Sequence, residues 1–106
     1  MTEHITHTAS LWRWTSASAP AAWFFITIDG VAGETLAATA LMRRLEGGTA
    51  RGFGAIKVLA RIGDTDWSTS VFPAKEAGGY MLPVKAAVRK AEGLGEGDLV
   101  ELSLEF

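Results

Sequence analysis

The segment covering residues 67–105 constrains the fold most strongly, because its turn-forming residues separate strand, helix and strand within one short stretch. It reads WSTSVFPAKEAGGYMLPVKAAVRKAEGLGEGDLVELSLE. Pro83 lacks an amide donor but fits the first turn of a helix, so we expect a short strand over residues 80–82 and a helix over about 84–92. Residues 99–106 alternate apolar and polar side chains, which predicts a closing strand.

Apolar spacing indicates which faces of the two predicted helices are buried. A helix over residues 34–45 follows the turn residues Asp29-Gly30. Its apolar side is predicted to consist of Ala37, Ala38, Leu41, Met42 and Leu45. The stripe expected on the second helix consists of Val84, Ala87, Val88 and Ala91.

The remaining segments are typical of strands. Residues 23–28 form an apolar, aromatic and β-branched run, and residues 56–62 alternate before a turn and a second extended segment over 67–72, as in a hairpin. A further strand is expected over 11–14. Together these patterns predict a mainly β chain with two short helices (α+β), arranged as a single six-stranded β-barrel, because closure hides sheet edges.

Length and composition limit the organisation of the chain. With 106 residues, 48% of them hydrophobic, we expect one domain over residues 11–106, preceded by a flexible polar segment over 1–10. The chain lacks cysteine, which excludes disulfides and thiolate nucleophiles. We expect a cytoplasmic protein without a membrane span. The net charge of -2 disfavours nucleic acid unless a local basic patch forms.

Spaced motifs along most of the chain resemble a bacterial family of domains of unknown function, number nineteen-oh-five. They are Leu11-Trp12, Trp23-Phe24, Arg51 to Gly54, Trp67, Ser70 to Pro73, Gly79 to Lys85, Val88-Arg89 and Gly97-Asp98. The resemblance implies a compact six-stranded barrel, found alone or next to a helical domain linked to antimicrobial-peptide resistance. It implies no established biochemical activity. The expectation for this chain is the barrel without the helical domain.

Aromatic residues provide the main indication of a binding site. Four tryptophans in so small a domain offer large rigid faces and N–H donors, and a glycine-flanked loop adds a cation and an aromatic ring. These features predict a ligand site formed by Trp12, Trp14, Trp23, Arg51, Phe53, Lys57, Trp67 and Tyr80. The alternative interpretation is that the tryptophans fill the ends of the barrel, so that they belong to its core.

Catalytic and metal-binding patterns are weak by comparison. His4 and His7 are spaced as a chelating pair on a helix would be, but they lie in the predicted flexible segment. Ser68 and Ser70 lack a nucleophile motif and a nearby histidine. We therefore expect no enzymatic activity, no metal and no cofactor.

Three hypotheses for function remain open at this point. The first is a non-catalytic barrel that binds a small ligand or a protein partner. The second is a DNA-binding dimer, because residues 82–100 are similar to the strand-Pro-helix-Gly-Asp-strand unit of swapped-hairpin transcription factors. Its basic face would need to combine Arg43, Arg44, Arg51, Lys57, Arg61, Lys85, Arg89 and Lys90. The third is a structural or assembly module.

Overall fold

Seven strands and two helices make up the part of the chain that the computed structural model describes, which comprises residues 3–47, 54–74, 76 and 78–106. In chain order the elements are β1 (His4–Ser10), β2 (Trp12–Ser16), β3 (Ala19–Ile28), α1 (Gly30–Gly47), β4 (Ile56–Ile62), β5 (Thr65–Ala74), β6 (Gly79–Pro83), α2 (Ala86–Glu92) and β7 (Leu99–Glu105).

The strands form one antiparallel sheet in the order β1-β7-β4-β5-β6-β3-β2. The sheet curves into a half-barrel, so the prediction of a mainly β chain with two helices is confirmed and the prediction of a closed six-stranded barrel is wrong. The strand count differs because the N-terminal segment adds a strand. Closure fails because β1 pairs with β7 and β2 pairs with β3, whereas β1 and β2 do not pair with each other.

The N-terminal segment, expected to be flexible over residues 1–10, is a strand over His4–Ser10. All seven of its residues pair with β7, from His4 opposite Glu105 to Ser10 opposite Leu99. Its side chains alternate between exposed and half-buried. Polar composition concealed this alternation, and the regular edge of β7 supplies the hydrogen bonds that order the segment.

Alternation along the strands produces the core, which lies on one face of the sheet. In β4 the residues Ile56, Val58, Ala60 and Ile62 are buried and the residues between them are exposed, as the sequence predicted. The same pattern holds in β7. On β3, Ile26 and Ile28 are buried and continue this inner face, so Trp23, Phe25 and Thr27 lie on the opposite, outer face.

Leu11 connects the two ends of the sheet. It is the one residue between β1 and β2, and its side chain is buried in the core. Its amide donates to the Asp98 carbonyl oxygen at 2.9 Å, and its carbonyl oxygen accepts from the Gly97 amide at 2.8 Å. Both peptide groups of this sharp junction are therefore satisfied by the turn before β7.

Two glycines allow α1 and β6 to approach the end of β3. A side chain at Gly33 would place its Cβ 2.7 Å from the carbonyl oxygen of Ile28, and a side chain at Gly79 would overlap the same peptide group. Neither contact is compatible with a Cβ atom. The first turn of α1 can therefore lie against the sheet only if both positions lack side chains.

Helix α1 is longer than predicted and presents a different face to the sheet. It spans Gly30–Gly47, and its buried residues are Ala32, Gly33 and Leu36. The apolar side predicted from spacing, which ends in Leu41, Met42 and Leu45, is exposed. Spacing identified an amphipathic helix but could not show which neighbour its apolar side meets. None of the described helices combines the length and apolar character that a membrane crossing requires.

Helix α2 lies against β5 and is held at its C-terminal end. Of its predicted stripe, Val84 and Val88 are buried, whereas Ala87 and Ala91 are exposed. The hydroxyl of Thr65, in the β4–β5 hairpin, donates to the Glu92 carboxylate at 2.5 Å. Gly93 then ends the helix in the left-handed conformation, which favours glycine.

We expect Gly79→Ala to destabilise the fold by about 1 to 3 kcal/mol, because the new methyl group overlaps backbone atoms of Ile28 that cannot move without disturbing β3. Urea unfolding measures the change. Gly95→Ala is the matched control, since its Cβ meets only the Asp98 carboxylate at 3.9 Å. Equal stabilities of the two variants would contradict the close approach seen here.

Candidate functional site

A cavity of about 320 Å³ lies where the starts of β3 and β5 meet the β6–α2 junction. We call it the α2 cleft. Three kinds of side chain line it: the aromatic residues Trp23, Phe24 and Trp67, the hydroxyl-bearing Ser68 and Thr69, and the cations Lys85 and Arg89. The cleft therefore combines apolar walls with positive charge.

Arg89 is positioned by two contacts within the cleft. Its guanidinium carbon lies 3.8 Å from the centroid of the Phe24 ring, within cation–π range. Its Nε donates to the carbonyl oxygen of Val84 at 3.2 Å. The hydrogen bond uses Nε, on the stem side of the guanidinium, and the contact with Phe24 uses its flat face. Its two terminal nitrogens make no hydrogen bond within the described residues, so their N–H groups remain as donors.

Lys85 supplies the second positive charge of the cleft. It precedes α2 and is exposed, in extended backbone conformation. Among the residues that the structure describes, neither Lys85 nor Arg89 has a carboxylate within ion-pair distance. Two unpaired cations beside aromatic walls favour an anion over a neutral or cationic group.

A row of aromatic rings covers the outer face of β2 and β3. Trp12 lies opposite Phe25 and Trp14 lies opposite Trp23 in the strand register. The Trp12 and Phe25 rings are 5.1 Å apart, and Trp23 stacks on Phe25 at 6.4 Å with an angle of 11°. The Trp12 indole donates to the Thr27 hydroxyl at 2.9 Å. Trp23 ends this row and also borders the cleft.

The structure separates the residues that were predicted to form one site. Trp12, Trp14 and Trp23 belong to the outer aromatic row, whereas Trp67 and Tyr80 are buried in the core, the alternative that the sequence left open for the tryptophans. Lys57 is exposed on the outer face of β4. Of the predicted residues, Trp23 and Trp67 line the α2 cleft. Arg51 and Phe53 lie outside the described residues.

Most of the cleft residues were absent from the predicted site, and three of these matter most for its chemistry. Phe24, Lys85 and Arg89 bring the aromatic face and both charges. The four-residue spacing of Lys85 and Arg89 after Pro83 was the available signal, because it places two cations on the same side of one short helix. Their position relative to β3 depends on the sheet order, which spacing alone does not determine.

The basic side chains proposed for a nucleic-acid face lie on several elements. Arg43 and Arg44 lie on α1, Lys57 and Arg61 on β4, and Lys85, Arg89 and Lys90 in or next to α2. Arg61 is held by acidic neighbours, with Asp66 at 2.8 Å and Asp64 at 3.9 Å. Its charge is thus partly neutralised within the chain.

The two histidines lie on opposite faces of β1, because an odd spacing of three reverses direction in a strand. His7 Nε2 is 3.0 Å from the carbonyl oxygen of Thr27 and 3.5 Å from the Asp29 carboxylate. Within the described ranges no group of three or more metal-ligating side chains occurs. The histidine pair therefore does not form the chelating arrangement considered from its spacing.

Tyr80, from the predicted site, has a hydroxyl whose pKa is shifted by its surroundings. Burial raises the pKa of its hydroxyl above the ordinary value of 10.0, and the positive charge of Arg44 partly offsets that rise. Its ring lies within the core, opposite Ile28 in the register. The neutral hydroxyl is therefore the form that the fold accommodates.

The chain belongs to the family described as Domain of unknown function (DUF1905), whose profile matches residues 7–104. The match covers nearly the whole chain and confirms the family number that the spaced motifs indicated. No curated protein matches the sequence. The family description carries no activity, so only the geometry of the cleft indicates a function.

Tyr80 should titrate at a higher pH in the native protein than in the urea-unfolded chain. It is the sole tyrosine, so near-ultraviolet phenolate absorbance reports it alone. Its contribution to stability is fully present below pH 10.0 and is lost as the pH rises through the raised folded pKa. Tyr80→Phe should remove the absorbance change and reduce the alkaline loss of stability. Coincident native and unfolded titration curves would contradict burial of the hydroxyl.

Proposed function

We propose that this chain is a non-catalytic module that binds a small anionic ligand with a flat apolar body in the α2 cleft. One observation carries the proposal. Lys85 and Arg89 line an aromatic-walled cavity, and neither has an acidic partner among the described residues. An anionic group on the ligand would supply the missing partner.

The arrangement of Arg89 supports recognition of a carboxylate or a similar planar anion. Its stacking on Phe24 and its bond to Val84 orient the guanidinium before a ligand arrives. Pre-orientation reduces the side-chain entropy that is lost on binding. The terminal N–H groups of a guanidinium match the two oxygens of a carboxylate in a bidentate pair.

The walls and the size of the cleft define the rest of the ligand. Phe24 and Trp67 offer apolar surface, and Ser68 and Thr69 offer hydroxyls for a few polar contacts. The volume of about 320 Å³ is at the lower end of the range of about 300–1,000 Å³ for ligand cavities. A mono- or bicyclic aromatic acid is the size class that fits.

The side chains around the cleft favour binding over catalysis. The described residues that line it include no histidine and no carboxylate, so none of them supplies a general base that is effective near neutral pH. The hydroxyls of Ser68 and Thr69 therefore have no group at the cleft to activate them.

Naphthoate is a suitable probe, and isothermal titration calorimetry is the measurement. We expect naphthoate to bind more tightly than naphthylmethanol, because the alcohol offers the same ring system without the charge. Arg89→Met should weaken naphthoate binding by about 1.5 to 3 kcal/mol, on the order of ten- to a hundredfold, since the charged hydrogen bonds are lost while an apolar stem remains over Phe24.

Lys57→Met is the matched control, because it removes the same charge from the exposed outer face of β4. Its naphthoate affinity should equal that of the unaltered protein. Absence of naphthoate binding would overturn the proposal. Equal affinities for naphthoate and naphthylmethanol, or equal effects of Arg89→Met and Lys57→Met, would also overturn it.

A further inference from the structure

An apolar stripe runs along the side of α1 that faces away from the sheet. The sheet-facing side carries the buried Ala32, Gly33 and Leu36. Half a turn around the helix, six exposed residues lie in line at helical spacing. We call them the α1 stripe: Val31, Glu34, Ala38, Leu41, Met42 and Leu45.

The exposure of this stripe is unusual for a surface helix. Leu41 and Met42 are more than half exposed, and Leu45 is 72% exposed. Single exposed aliphatic residues are ordinary, whereas a contiguous apolar patch marks an interaction surface. The amphipathic pattern that predicted burial of this side therefore has no partner within the described residues.

We propose that the α1 stripe packs against the same stripe of a second copy of this chain, antiparallel and about a twofold axis at Ala38. The stripe is self-complementary in this arrangement. Ala38 is small and lets the two helices approach closely at the axis. Val31 and Leu45 lie seven residues on either side of it, so each Val31 meets Leu45 of the second copy, as an isologous interface requires.

The charges on α1 select the antiparallel orientation. Glu34 is the one charged residue of the stripe, and Arg44 lies next to its Leu41 edge near the other end of the helix, between the stripe and the side that faces Tyr80. Within the described residues neither forms an ion pair. Antiparallel packing brings Glu34 beside Arg44 of the second copy, whereas parallel packing brings Glu34 beside Glu34. The opposed helix dipoles favour the same orientation.

The size of the stripe sets the strength of the contact. From Val31 to Leu45 it spans about 21 Å at 1.5 Å per residue. A single helix pair of this length buries less than the roughly 800 Å² per partner of a standard interface. The dimer is therefore expected to be concentration-dependent, and its stripe shares no residue with the α2 cleft.

Single cysteines test the register, because the natural chain contains none. Val31→Cys protein mixed with Leu45→Cys protein should form a disulfide-linked dimer under mild oxidation. Each variant alone should not, since two copies of the same position lie about 21 Å apart and a disulfide needs Cα atoms within about 7 Å. Ala38→Cys, at the axis, should link to itself.

Leu99→Cys measures the background cross-linking of an exposed cysteine outside the stripe, because Leu99 on β7 is also 72% exposed. Cross-linking of the mixed pair no greater than that of Leu99→Cys would overturn the proposal, as would self-linking of Val31→Cys. Sedimentation velocity of the unlinked protein gives a second readout. Leu45→Glu should weaken dimerisation at least tenfold while Leu99→Glu leaves it unchanged, and a protein that stays monomeric up to millimolar concentration would refute the interface.

Discussion

The junction at Leu11 is the constraint on which the arrangement of the molecule depends. The strand order places β1 and β2 at opposite ends of the sheet, yet a single residue joins them. The chain can satisfy both conditions only if the sheet curves until its two ends lie side by side. Burial of the Leu11 side chain and two hydrogen bonds to the Gly97–Asp98 turn stabilise that position. The half-barrel therefore follows from a local junction together with the usual twist of antiparallel strands.

Strand β3 contributes to both the core and the proposed site, because its two faces contact different parts of the molecule. Ile26 and Ile28 complete the core on the inner face, and Phe24 continues that face to the end of the sheet, where Arg89 stacks on it. Trp23 and Phe25 form the aromatic row on the outer face. The cleft thus lies at the edge of the core, where α2 covers the ring of Phe24. A cation in this position is oriented by the core itself.

The sequence predicted the positions of the helices and strands along the chain better than the contacts between them. Alternation in β4 and β7 identified both strands and their buried faces, because a strand with one face on the core must alternate. The N-terminal strand was missed since its inward side chains, Ile5, His7 and Ala9, are only half-buried and just one of them is strongly apolar. The face of α1 was wrong for a different reason: spacing reports that an apolar side exists, and tertiary contacts decide what it meets. The tryptophans divided between core and surface because aromatic residues suit both environments.

The contact between Thr65 and Glu92 has a consequence for how a ligand would enter the cleft. It ties the C-terminal end of α2 to the β4–β5 hairpin, while the other end is joined to β6 through only Val84 and Lys85. A helix fastened at both ends cannot swing aside as a lid. The cleft is open with α2 in this position, and a ligand of the proposed kind would need no movement of the helix to enter. Association would be governed by diffusion and charge, so differences in affinity between related ligands would reside in their dissociation rates.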